Sequence, residues 1–281
     1  MTSIKGDAVA GATRPSLDTV MAADHVAFSY SSAAGAHPVL GDISFTIARG
    51  EFVSLVGPSG IGKTTLLRVL SGLMQPTAGE VRLDGERVTE PPRQLALVLQ
   101  DYSRSLLPWM SIERNVALPL RSAKVARTEV RSRTAAALDA VGLAGDSEKY
   151  PWQLSGGMQQ RVAIARALAY QPEVLVMDEP FASVDAQTRF DLEDLVLRLR
   201  REFGMTVLLV THDIDEAVYL SDRIVVLAGK PAQVADCLDV PLGPIRDQIA
   251  TKALPEYAAL RGRVLSEIRA ASAARTDKKV G

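Results

Sequence analysis

The chain predicts an α/β fold with a mainly parallel central sheet and a smaller helical subdomain, on three observations. Short β-branched runs alternate with helical runs in both the early and the late part of the sequence. A glycine-rich loop, GPSGIGKT, stands between an apolar strand and a helix. From Ser111 to about Tyr170 the apolar residues recur at three and four positions, the period of a helix packed on one face.

The elements follow in order. Residues 1–23 are rich in Ala, Gly, Ser and Thr without a period and read as a disordered leader. HVAFSY, ISFTIA and EFVSLVG alternate or are β-branched between glycine turns, which predicts three strands. KTTLLRVLSGL predicts a helix ending at Gly72, PTAGEVRLDGE a turn with a short hairpin strand, and QLALVLQ a buried strand. IERNVALPLR, ARTEVRSRTAAALDAVGL and MQQRVAIARALAY predict the helices of a subdomain over about 101–170. Strand–helix alternation then returns with PEVLVMDEP, a helix from about Ala186 to Phe203, MTVLLVTHD, a helix through EAVYL, and RIVVL. Residues 231–281 read as a helical extension with a basic tail, Arg269, Arg275, Lys278 and Lys279, which as a frayed terminus needs no further role.

Bulk properties narrow the function. The 281 residues carry a net charge of -1, which argues against a nucleic-acid partner. The single cysteine, Cys237, excludes a disulfide framework or a cysteine metal centre. No run approaches the roughly 18 to 20 apolar residues that span a bilayer, and no signal-peptide core is visible. A membrane role is therefore expected from the cytoplasmic face, peripherally and through a partner.

GPSGIGKT (Gly57, Pro58, Ser59, Gly60, Ile61, Gly62, Lys63, Thr64) fits G-x-x-x-x-G-K-[ST], with Thr65 next in line. Its glycines let backbone N–H groups turn toward phosphate oxygens, and the helix N-terminus adds partial positive charge. Lys63 can reach the β and γ phosphates, and the Thr64 hydroxyl can ligate Mg²⁺. VLVMDEP places two acids at the carboxyl end of a buried strand, where ligands sit in open α/β sheets. Asp178 is placed to hold Mg²⁺ and Glu179 to orient or deprotonate an attacking water.

A second anion-binding signal, LSGGMQQR, puts Ser155, Gly156 and Gly157 at the start of a helix. A helix N-terminus contributes roughly 0.3 to 2 kcal/mol to an anion, too little to hold a nucleotide alone. The segment is either a plain serine cap or a group lent to a phosphate that something else already holds. Separation from the phosphate loop by the helical stretch favours a loan between two copies, with two nucleotides at a C2 seam.

GPSGIGKTT, LSGGMQQR, VMDEP and THD in this order closely resemble the ATP-binding cassette (ABC) ATPases over about residues 24–230. The resemblance implies a P-loop NTPase fold with a mainly parallel core sheet, an N-terminal antiparallel β part and a helical subdomain. It implies ATP and Mg²⁺ as ligands, a signature segment acting on the partner chain's nucleotide, and hydrolysis coupled to transport. It also implies roles for Tyr30 (stacking on adenine), Gln100 (sensing Mg²⁺ and γ-phosphate and linking to the membrane partner), Asp185 (crossing the dimer seam) and His212 (contacting γ-phosphate). Met158 departs from the glutamine that many members carry after the glycines. QDYSRSLLPW, SGGMQQRVAIARAL and PLGPIRDQ resemble the nitrate/sulfonate/taurine importers, which work with two transmembrane permease subunits and an external solute-binding protein. An ABC exporter, a lipid-extraction system or a non-transport ABC ATPase shares most of these features. A P-loop kinase explains Lys63 and Asp178 but not the signature. Leu106, Leu107, Trp109 and Met110 form an apolar group that suits either a satellite core or a groove for a permease helix.

Overall fold

The structure, a computed structural model, describes residues 18–32, 35–101 and 105–277. Two sheets and a set of helices build it. The first sheet is antiparallel, with strands β1 (Thr19–Ser32), β2 (Gly35–Ala48), β4 (Ala78–Leu83) and β5 (Glu86–Arg87) in the order β2-β1-β4-β5. The second contains β3 (Phe52–Val56), β6 (Leu95–Val98), β7 (Val174–Asp178), β8 (Thr206–Val210), β9 (Arg223–Ala228) and β10 (Gln233–Asp239) in the order β10-β9-β3-β8-β7-β6. All its neighbours pair parallel except β9 with β10. The helices are α1 (Lys63–Leu70), α2 (Ile112–Ser122), α3 (Arg127–Ala140), α4 (Gly156–Ala169), α5 (Ala186–Phe203), α6 (Ile214–Leu220) and α7 (Pro255–Asp277).

The parallel sheet is the middle layer, which explains why β3, β7 and β8 are buried along their whole length. Alternate residues feed opposite cores. Leu175, Met177, Val207 and Leu209 join a core shared with α2 to α7. Val174, Val176, Leu208 and Val210 join a second core closed by α1 and the antiparallel sheet.

The structure corrects three expectations. β1 opens at Thr19, inside the stretch read as leader; Val20 and Met21 are buried, and Met21 pairs with both Ile47 and Leu83. The alanines of VMAAD hide this alternation because they carry so little apolar weight. Residues 1–17 lie outside the described part. QLALVLQ yields a shorter strand at the sheet edge, with Ala96 and Leu97 only half-buried and Leu99 exposed. At the other end, β10 extends the sheet beyond residue 230 by pairing with β9.

The C-terminal extension ahead of the basic tail is docked on the body of the chain. Tyr257 and Val264 enter the larger core, and Arg246 donates to the carbonyls of Val218, Tyr219 and Ser221 at the end of α6. Arg269 is exposed, while the side chain of Arg275 and residues Lys278 and Lys279 lie outside the described part. The group around Trp109 divides. Leu106 is core, Trp109 is 70% exposed, and the buried Asn115 amide secures the loop by bonding Leu107, Met110 and Ser111.

Candidate active site

Four parallel strand ends make the site. β3 runs into the glycine loop, β6 ends just before Gln100, β7 ends on Asp178, and β8 ends just before His212. The order β3-β8-β7-β6 sets them side by side, so their carboxyl ends emerge along one edge.

The loop is shaped by its glycines. Gly60 and Gly62 have φ of 70° and 115°, which side-chain-bearing residues rarely adopt. Gly62 precedes α1, and a Cβ there would lie 2.8 Å from Val39 Cγ1. At Gly57 a Cβ would lie 2.9 Å from the Leu227 carbonyl. The Ile61 N–H donates to Pro58 O at 3.2 Å to close the turn, Ile61 anchors it from below, and Ser59 and Gly60 stand exposed at its crest. α1 has no side-chain cap and no acid in its first turn, which leaves its N-terminal N–H groups suited to an anion. Lys63 Nζ donates to the carbonyls of Gly57 at 2.9 Å and Pro58 at 3.4 Å. Burial lowers the Lys63 pKa, opposed by the charges of Glu179 and Asp178. Thr65 follows, its Oγ1 3.4 Å from the Tyr30 hydroxyl. Tyr30 meets Phe28 edge-on and remains 40% exposed beside the loop, a position open to a stacking base.

Asp178 is buried, and that burial, followed by the charge of Glu179, raises its pKa. The exposed Thr64 hydroxyl hydrogen-bonds it. Among the described residues no three His, Cys, Asp or Glu side chains form a metal cage. A hydroxyl, one carboxylate and the nearby Gln100 amide are hard oxygen donors, and they fit Mg²⁺ that takes its remaining ligands from phosphate and water.

Glu179 is the focus of the edge. Its φ of 44° is left-handed, unusual for a residue with a side chain, and its N–H donates to Val210 O at 2.8 Å. Its Oε2 accepts from Gln100 Nε2 at 3.1 Å and lies 3.1 Å from His212 Nδ1. Three side chains from three strand ends thus meet at one carboxylate oxygen.

Ser155 and Asp185 occupy a second locus. Ser155 Oγ caps α4 by accepting from Met158 N–H at 3.3 Å, and Gly156 is exposed beside it. The Met158 side chain packs against the core, so an apolar residue suits this position. Gly157 is buried, and a Cβ there would lie 2.2 Å from Thr188 Cγ2 in the first turn of α5. Asp185 caps the same turn, accepting from Thr188 N–H at 3.0 Å and Thr188 Oγ1 at 2.6 Å, bonds that hold its pKa below the usual range. Gly157 and Asp185 therefore meet at Thr188.

The sequence missed the support behind His212. Thr211 and Glu216 are buried, and Arg189 pairs with Asp213 across 24 positions of chain. Only Asp213, a capping residue type ahead of a helical run, was locally readable.

A sequence profile described as ABC transporter matches residues 40–182. The aliphatic sulfonates import ATP-binding protein SsuB 1 of Xanthomonas axonopodis pv. citri is 49% identical over 220 residues, 78% of this chain and 86% of that protein. The nitrate import ATP-binding protein NrtC of Synechococcus elongatus is 42% identical over 254 residues, 89% of this chain but 38% of that longer protein. Among solved structures, the ATP-binding cassette MJ0796, dimeric in a post-hydrolysis state with ADP and Pi, matches with a TM-score of 0.68 at 33% identity over 78% of this chain and 98% of that one.

Proposed function

The chain belongs to the ABC transporter family, and from that premise we propose that it is the ATP-hydrolysing subunit of an importer for a small solute such as nitrate or a sulfonate, taurine included. Two copies close around two ATP with Mg²⁺, and closure drives two transmembrane permease subunits that an external solute-binding protein supplies. The observation that carries the catalytic part is the convergence of Gln100 and His212 on Glu179 Oε2 beside the phosphate loop.

The chain's residues divide the work. The loop N–H groups, the α1 N-terminus and Lys63 hold the phosphates, and Tyr30 stacks on the base. Thr64, Asp178 and Gln100 would hold Mg²⁺, which would supply positive charge to offset that of the phosphates. Glu179 aligns the attacking water and takes its proton, and His212 and Gln100 fix the Glu179 carboxylate and line the γ-phosphate. Ser155 and Gly156 of one chain approach the nucleotide of the other, where a contribution too small to bind ATP alone is enough to favour the closed pair.

A groove of 380 Å³ beside the edge strand, lined by Leu95, Leu97, Leu118, Pro119 and Tyr170, suits a permease segment. Leu99 and Trp109 are exposed, and β6 leads directly to Gln100, so a load on this edge reaches Glu179 through one hydrogen bond. Among the described residues no helix is long and apolar enough to cross a membrane. We place the chain at the cytoplasmic face, held there by the permease.

The test is Glu179→Gln. It should retain ATP binding, lower kcat by about two to four orders of magnitude and accumulate an ATP-dependent dimer in light scattering. Turnover at the wild-type rate sinks the assignment.

A further inference from the structure

His212 is held from behind by a polar cluster that reaches across to α5. Thr211, just before it, donates its hydroxyl to Glu216 Oε2 at 2.6 Å and accepts from the Asp213 N–H at 3.0 Å. Asp213, just after it, caps α6 by accepting from the N–H groups of Asp215 at 2.8 Å and Glu216 at 3.2 Å. The cation of this cluster is Arg189 in the first turn of α5. Its Nη1 donates to Asp213 Oδ2 at 3.1 Å, and its Nε lies 3.8 Å from Glu216 Oε1. That Nε is buried without a hydrogen-bond partner. The same turn of α5 faces the other way as well. The Arg189 N–H donates to Asp185 O at 2.9 Å, and the adjacent Thr188 holds Asp185 and abuts Gly157.

We propose that Arg189 is a positioning residue that locks the His212 loop to the Asp185 turn, so that the histidine reaches its working position when the second chain engages the seam. This rests on the reading of His212 and Asp185 given above. The link is one bond short: a shift of roughly 1 Å between α5 and α6 brings Nε into hydrogen-bond range of Glu216 and makes the guanidinium bidentate across two carboxylates. In this assignment Arg189 acts through where His212 sits and has Asp213 and Glu216 as its partners.

The experiment compares Arg189→Met, Arg189→Lys, Asp213→Asn, His212→Ala and the Arg189→Met/His212→Ala pair for kcat, KM for ATP and thermal midpoint. Arg189→Met should lower kcat about ten- to a hundredfold, the scale of a misplaced reacting group, with KM within twofold. In a Glu179→Gln background the same change should leave the ATP-dependent dimer formed. Arg189→Lys should recover part of the rate. Asp213→Asn, which keeps a capping side chain, should reproduce the loss without unfolding. The double variant should be no slower than His212→Ala, because both act through one group. Unchanged kcat in Arg189→Met, a loss confined to KM, or losses that multiply in the double variant overturn the proposal while leaving the site reading intact. Wild-type turnover of His212→Ala overturns both.

Discussion

Glu179 holds a left-handed backbone at the point where β7 leaves the sheet. A residue with a Cβ accepts that conformation at a cost of order 1–3 kcal/mol, which persists only where surrounding bonds fix it. Here the Val210 carbonyl, Gln100 and His212 do so. Glu216, behind the same edge, carries a different load. Burial is the main cause of a pKa raised to about 7, against which the Thr211 hydroxyl works. Between the ordinary glutamate range and that value the folded chain binds a proton that the unfolded chain has released, so stability falls as pH rises through this window. A shift of this size corresponds to about 3 kcal/mol above pH 7. Glu216→Gln should therefore raise the denaturation midpoint at pH 8 and leave it nearly unchanged at pH 4. A midpoint difference that stays constant across pH 4 to 8 counts against the buried ionisation.

At the scale of elements, the starts of α4 and α5 are fitted to each other. Gly157 has no room for even a methyl group, with 2.2 Å from its would-be Cβ to Thr188 Cγ2. Gly157→Ala should cost about 1–3 kcal/mol and displace the signature turn, with loss of ATPase. Thr188→Ser removes the offending methyl and keeps the hydroxyl that bonds Asp185, so the double variant Gly157→Ala/Thr188→Ser should recover stability and turnover together. Melting curves and ATPase rates check this, and an unrelieved double variant would show that the clash is not the cause. The strand ends that gather at the candidate site were legible because each motif is local: a loop, an acid or a histidine directly after a short β-branched run. The Thr188 contact was not, since it joins segments that no period or spacing relates. Nor was the start of β1, where alanines mask alternation, or β10, whose half-buried strand depends on the neighbouring β9 for its pairing. The Trp109 segment stayed open between two readings for a different reason. Its apolar composition was readable, but which side chains turn inward was not, because the loop is held by backbone bonds to the buried Asn115 amide that no local pattern announces.

On the scale of the whole molecule, the sheet edge gathers the phosphate loop, Asp178, Glu179, Gln100 and His212, while Ser155 and Asp185 cap helices of their own at the second locus. If the second locus serves the partner's nucleotide, two different lesions should complement each other. Lys63→Ala removes the ammonium from a chain's own phosphate loop. Ser155→Arg leaves that loop whole but blocks the signature turn it offers. Each variant alone forms two defective sites per dimer and should be nearly inactive. In the mixed dimer, the intact loop of the Ser155→Arg chain meets the intact signature of the Lys63→Ala chain, which restores one complete site and leaves the other doubly broken. With random pairing, half of the dimers are mixed and each has one working site of two, so the recovered ATPase approaches at most about a quarter of the wild-type rate per chain. The recovered rate should also fall on dilution, because the complete site exists only in the pair. Two inactive preparations that stay inactive when mixed, across a range of protein and ATP concentrations, would mean that the signature turn works within its own chain.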